Sequence, residues 1–183
     1  MGSSAVEFAL AAPILFTMAV GAIEFGVIML ASTLMESGLR EAARYGITGQ
    51  DPTTGTRLDR IMAIIDQRTL NLVDMAQAEV EVMVYPGFSD IGRAEGFVDG
   101  NGNGTYDAGE TYNDENGNGS WDDDVGSSGA GGSGDIVVYR ITYPWQVWTP
   151  LATTFIGDAG NIELGSSIVV RNEPWDTSGG GGA

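Results

Sequence analysis

Thirty consecutive residues, Ala5 to Leu34, carry only two charges, Glu7 and Glu24. A run this apolar has few stable fates. As a helix it is about 45 Å long at 1.5 Å per residue, whereas crossing the hydrocarbon of a bilayer takes about 20 residues. The excess is expected to carry the helix out of the membrane. Pro13 removes one backbone hydrogen bond, to the carbonyl of Ala9, and is expected to bend or loosen the helix there. Ser32 to Gly46 turns amphipathic. Leu39 and Ala43 fall on one side, and Arg40 and Arg44 lie at helical spacing from Glu36 and Glu41. Gly46 is the expected stop.

The two acids need an explanation, because a carboxylate in hydrocarbon is costly without a partner or a purpose. Glu24 lies 17 residues past Glu7, about 25 Å along a helix. It is expected either to face other protein or water or to protonate, or to reach the far headgroup region. A secretory signal peptide would be shorter, with a basic start and a small-residue cleavage site. A plain anchor accounts for the length but not for Glu7. A third account uses the order Gly2-Ser3-Ser4-Ala5-Val6-Glu7, in which Glu7 is the fifth residue after Gly2. This segment, with Ile23-Glu24-Phe25-Gly26 and the ending Ser166 to Trp175, resembles TadE/TadG-like minor pilins of tight-adherence (Tad) pili, over residues 2–85 and 135–175.

The resemblance implies cleavage after Gly2 by a prepilin peptidase, leaving Ser3 with a free amine and Glu7 at position five. It implies that Glu7 pairs with the terminal amine of a neighbouring subunit, so that two charges neutralise each other in a low-dielectric bundle. It implies storage in the bacterial inner membrane, then a place on the cell surface in a filament with other pilin subunits. No basic residue precedes the helix, while Arg40 and Arg44 follow it. Charge bias alone would therefore leave the C-terminal part in the cytoplasm, and a basic leader is expected to be missing from the chain as given.

Composition narrows the chemistry. There is no Cys and no His, which excludes thiolate and Ser-His-Asp catalysis and zinc sites built on those ligands. The net charge is −17, and all eight basic residues are Arg. Ala94 to Tyr139 holds ten acids and no Arg. Such a chain repels nucleic acid, and its natural partner is a cation.

Within that acidic stretch one segment follows the calcium-loop pattern of EF-hands. Asp99, Asn101 and Asn103 take loop positions 1, 3 and 5, and Gly104 takes the turn at 6. Thr105 offers its carbonyl at 7, Asp107 stands at 9 and Glu110 at 12. Tyr106 fills position 8. Fifteen residues on, Asp114, Asn116, Asn118, Gly119, Ser120 and Asp122 repeat positions 1, 3, 5, 6, 7 and 9, with Trp121 matching Tyr106. Position 12 of this copy is Val125, so Asp123 or Asp124 is the expected substitute, and the site is expected to be weaker than the first or to share an ion. The Gly-rich flanks do not read as EF-hand helices. The pair resembles the calcium repeats of bacterial surface proteins, dockerin-like or thrombospondin type 3-like. Calcium is expected in the first loop, with a second ion in the other. Extracellular modules of this kind bind at roughly 10⁻⁴ to 10⁻³ M, which favours an exported domain against the charge bias. Composition alone would instead give a solvated, disordered loop.

The rest reads as an α+β domain. Leu58, Ile61, Ile65 and Leu72 form one stripe of a second helix. Strands are expected at Glu79–Tyr85, where Val80, Val82 and Val84 fall on one face and Pro86-Gly87 follows, at Ile136–Tyr143, with Val137, Tyr139, Ile141 and Tyr143 on one face, and at Ile162–Arg171, the last broken near Gly165. One antiparallel sheet of three or four strands, covered by that helix, is expected. Residues 1–46 are assigned to the pilin-like helix and 47–175 to the domain. The calcium-loop insertion is placed at 95–134, with 126–134 a flexible connector. Residues 176–183 are assigned to a disordered tail. Trp145, Trp148 and Trp175 are assigned to the core or to subunit contacts.

A minor pilin is the leading functional expectation. A membrane-anchored calcium-binding adhesion module outside any filament is the alternative. An enzyme using paired loop carboxylates is disfavoured, because those acids are already arranged as ligands and no nucleophile–base pair is visible.

Overall fold

A computed structural model describes residues 3–49, 54–149 and 160–174. The expected processing residue Gly2, part of the loop Gln50–Thr56, Trp175 and the tail 176–183 lie outside the described residues. The elements are α1 (Ser3–Ile47), α2 (Arg57–Thr69), β1 (Glu79–Tyr85), β2 (Ser127–Ser128), β3 (Ile136–Gln146) and β4 (Asn161–Arg171). The antiparallel sheet has the order β2-β1-β3-β4. The chain forms two compact units. One contains residues 1–42, 62–80 and 140–167, and the other 43–61, 81–139 and 168–183.

In the first unit, α1 changes character along its length. From Ser4 to Ile23 none of the described residues is buried. From Glu24 onward a stripe at helical spacing is buried: Glu24, Ala31, Met35, Leu39 and Ala42. Gly38 lets the helix approach the second half of α2 closely. A Cβ there would lie 3.3 Å from Arg68 Cβ and 3.4 Å from the Ile65 backbone. Arg40 pairs with Glu36, and Arg68 reaches Glu41 at 3.7 Å. Ile64, Ile65, Val73, Ile141, Trp145, Val147 and Leu164 complete the buried apolar set among the described residues of this unit. Helix α1 is continuous through Pro13. The expected break at Gly165 is absent, and β4 runs straight through it with Thr142 at ordinary contact distance.

The second unit corrects four expectations. Gly46 does not stop α1, which runs to Ile47. Its role is close approach, since a Cβ there would stand 1.9 Å from the Tyr139 hydroxyl. The turn out of the helix falls at Gly49, φ +63°. Leu58 is exposed and lies outside the buried stripe, which in this unit is represented by Ile61. The Gly/Ser stretch after Gly126 is not a free connector. Ser127 and Ser128 pair with Val84 and Met83 of β1, and Gly126 lies where a Cβ would strike the Tyr85 ring at 2.8 Å. Alternation along β3 also fails, because Ile136, Val137, Val138 and Tyr139 are all buried. The reason is a second small core of Tyr85, Val125, Ile136 and Val138, joined by Met83 and Ile91. The insertion between β1 and β3 thus covers one face of the strand, and a strand covered on both faces loses its period-2 pattern.

Candidate functional sites: a long apolar helix and twin acidic loops

The uncovered part of α1, Ser4–Ile23, is twenty residues, about 30 Å at helical rise. That length equals the hydrocarbon thickness of a typical bilayer. The helix as a whole is long and apolar enough to cross a membrane. Glu7 lies within the uncovered part and Glu24 immediately follows it. Glu24 is 4% exposed, and what buries it is protein. Its carboxylate accepts the backbone N–H groups of Trp148 and of Thr149, the latter at 3.2 Å. Of the two expectations for Glu24, facing protein is the one realised. Trp145 is buried against Tyr143, while its neighbour Trp148 is exposed.

The insertion folds as two loops of one design. In the first, Asp99 accepts the N–H groups of Gly102, Asn103 and Gly104 at 2.6–3.2 Å. These donors, led by Gly104, hold the Asp99 carboxyl below the usual range against some desolvation. Asn101 Oδ1 accepts Asn103 N–H, and Asn103 Oδ1 accepts Thr105 N–H. The Asn101 and Asn103 amides both donate to Asp107 Oδ2, at 2.6 and 2.7 Å. Glu110 closes the loop, with Oε1 accepting Gly100 N–H and Oε2 accepting Asp107 N–H.

The second loop repeats this bond for bond. Asp114 accepts Gly117, Asn118 and Gly119 N–H. Asn116 and Asn118 donate to Asp122 Oδ2, and Asn118 Oδ1 accepts Ser120 N–H. The backbone repeats too. Gly102 and Gly117, at position 4, both have φ +76°, and Gly104 and Gly119, at position 6, have +78° and +82°. Only glycine adopts this left-handed backbone at no steric cost.

A small aromatic cluster joins the loops. Tyr106 and Trp121, the two position-8 residues, stack at 4.6 Å and 14°. Phe97 meets both rings edge-on, and Tyr112 packs on Tyr106. Phe97 and Tyr112 also form a β-bridge across the base of the first loop. Tyr112 is pushed above its usual pKa, by burial first and then by the negative charge of Asp114, Glu95 and Asp122.

Asp124 does not close the second loop in the way Glu110 closes the first. Asp124 accepts the Tyr85 hydroxyl and Gly126 N–H. The residue that sequence reasoning missed is Glu95. Its Oε1 accepts the N–H groups of Glu115, at 2.7 Å, and Asn116, and its Oε2 accepts Asp122 N–H. Glu95 precedes both loops in the chain, so a linear pattern search could not assign it. Among the described residues no group of three or more acidic, His or Cys side chains stands arranged to hold a metal.

No curated protein and no solved structure matches the chain. A family model does match, over residues 2–44, a shorter span than the resemblance read from the sequence, and it falls on the part of α1 with the uncovered span and both helix acids. Over those N-terminal residues the chain is similar to TadE-like proteins.

Proposed function

We propose that the chain is a minor pilin-like structural subunit of a Tad-type pilus. It is held in the bacterial inner membrane by Ser4–Ile23 until a prepilin peptidase frees Ser3 and the helix joins those of other pilin subunits. The observation that carries this reading is the coincidence of the TadE-like match with a bilayer-length uncovered helix bearing Glu7 near its start. In the bundle Glu7 would meet the Ser3 amine of a neighbour, and leaving either charge alone would cost several kcal/mol. The domain then faces outward and contributes to assembly and surface adhesion.

The twin loops are proposed to hold calcium as a structural ion, through Asp99, Asn101, Asn103, the Thr105 carbonyl, Asp107 and Glu110, and through Asp114, Asn116, Asn118, the Ser120 carbonyl and Asp122. A hard divalent ion wants six to eight oxygens, and each loop supplies carboxylate, amide and carbonyl oxygens within twelve residues. The amide N–H groups that meet Asp107 and Asp122 occupy the place of the cation, so binding requires those amides to turn their oxygens inward.

Intact mass measurement of protein made in its native host with its full leader tests the pilin reading, and Ser3 is the expected first residue. Glu7→Ala should insert into the membrane normally and fail to enter filaments. A native amino end well upstream of Ser3, or normal pili from the mutant, overturns the reading. Processed protein that stays out of filaments would instead support an anchored adhesion module.

A further inference from the structure

We infer that Glu95 is the twelfth-position ligand of the second loop, supplied from upstream of the first, so that the insertion binds two calcium ions as one unit. This rests on the calcium reading proposed above. In the first loop the N–H groups of positions 2 and 9 both donate to Glu110. In the second loop the same two N–H groups, those of Glu115 and Asp122, both donate to Glu95. The carboxylate therefore stands where the pattern requires it, although the chain arrives from the other side.

The substitution at position 12 is explained in the same way. Val125 sits in the small core with Tyr85, Ile136 and Val138, where an acid could not be tolerated. Two backbone bonds lock the delivery, from Glu95 N–H to the Asp122 carbonyl at 3.0 Å and from Val125 N–H to the Arg93 carbonyl at 2.8 Å. The Trp121 indole N–H adds a bond to the Glu95 carbonyl.

Burial is the second, separate reason. Glu95 is 2% exposed, and the donors on its carboxylate are neutral backbone N–H groups. The nearby Arg93 guanidinium is already engaged by Glu115 and Asp90. A carboxylate removed from water needs a counter-charge. A cation in the second loop supplies it once Asn116 and Asn118 turn their amide oxygens inward, and Oε2, with a single N–H donor, keeps a lone pair for it.

The test is calcium titration of the full chain in detergent micelles after chelator treatment, read by calorimetry. The wild type should bind two ions. Glu95→Gln should leave the first site unchanged and weaken the second at least about tenfold. Glu110→Gln should do the reverse. Two sites of wild-type affinity in Glu95→Gln overturn the assignment. One ion bound by both wild type and Glu95→Gln also overturns it while leaving calcium binding intact. A wild type that binds none overturns the calcium reading itself. If Glu95→Gln fails to fold, Glu95→Asp, which keeps the charge but falls one methylene short, carries the test. A second site weakened at least about tenfold supports the assignment, and an undiminished one refutes it.

Discussion

Replacing Glu24 by Ala removes the acceptor for two backbone N–H groups, those of Trp148 and Thr149. Both donors sit against a residue that is almost fully buried, so water reaches them poorly. Each buried donor left without a partner costs about 1–3 kcal/mol, giving a local loss of about 2–6 kcal/mol for the pair. Glu24→Gln keeps one acceptor oxygen but loses the charge, and should cost about 1–1.5 kcal/mol, the difference between charged and neutral hydrogen bonds. The assay is hydrogen exchange, followed by mass spectrometry, on the full chain in detergent or nanodiscs. Since 1.4 kcal/mol is a factor of ten, the amides of Trp148 and Thr149 should exchange between about 30-fold and about 20,000-fold faster in Glu24→Ala. Glu24→Gln should lie between that variant and wild type, and the loop segment 99–110 should not change. Unchanged exchange at Trp148 and Thr149 in Glu24→Ala would refute the claim that this carboxylate is held by its own domain.

The Tyr139 hydroxyl is buried with no hydrogen-bond partner and faces Gly46. Tyr139→Phe should therefore be neutral or stabilising. Gly46→Ala should cost about 1–3 kcal/mol by overpacking, and Tyr139→Phe should recover much of that loss in the double variant's thermal unfolding. Burial, partly opposed by the positive charge of Arg57, pushes the Tyr139 phenol up to about 12. The unfolded phenol ionises near pH 10, so its contribution is complete below about pH 10 and is lost as pH rises toward 12. Wild-type denaturation midpoints should fall over that window more steeply than those of Tyr139→Phe, and parallel curves would contradict this. Chelator, or Asp99→Ala, should make the insertion protease-sensitive, whereas equal cleavage rates with and without chelator would remove the calcium proposal.

The elements that were legible in the sequence are those whose signals are local. The long helix followed from one uninterrupted apolar run. The strand at Glu79–Tyr85 followed from alternation ended by Pro86-Gly87, and α2 from Ile61 and Ile65. The twin loops followed from residue spacing, because each takes nearly all its internal bonds from within twelve residues. What escaped notice depends on distant partners. Gly46 looked like a helix stop because Tyr139, which needs the space, is far away in sequence. Val125 looked like a defect in a loop because its core neighbours Tyr85, Ile136 and Val138 lie outside that loop. Glu95 looked like one more solvated acid. The Gly/Ser stretch gave no hint that Ser127 and Ser128 extend the sheet beside β1, since composition reports freedom and not the edge on offer. Glu24 was undecided from sequence because its donors come from a loop more than a hundred residues later.

From Glu24 onward one side of α1 is already clothed by its own chain, whereas the stub before it has no buried residue on any side. On the pilin reading proposed above, a subunit leaving the lipid has chiefly that short rod to re-wrap, and neighbouring rods would take over from acyl chains as the wrapping.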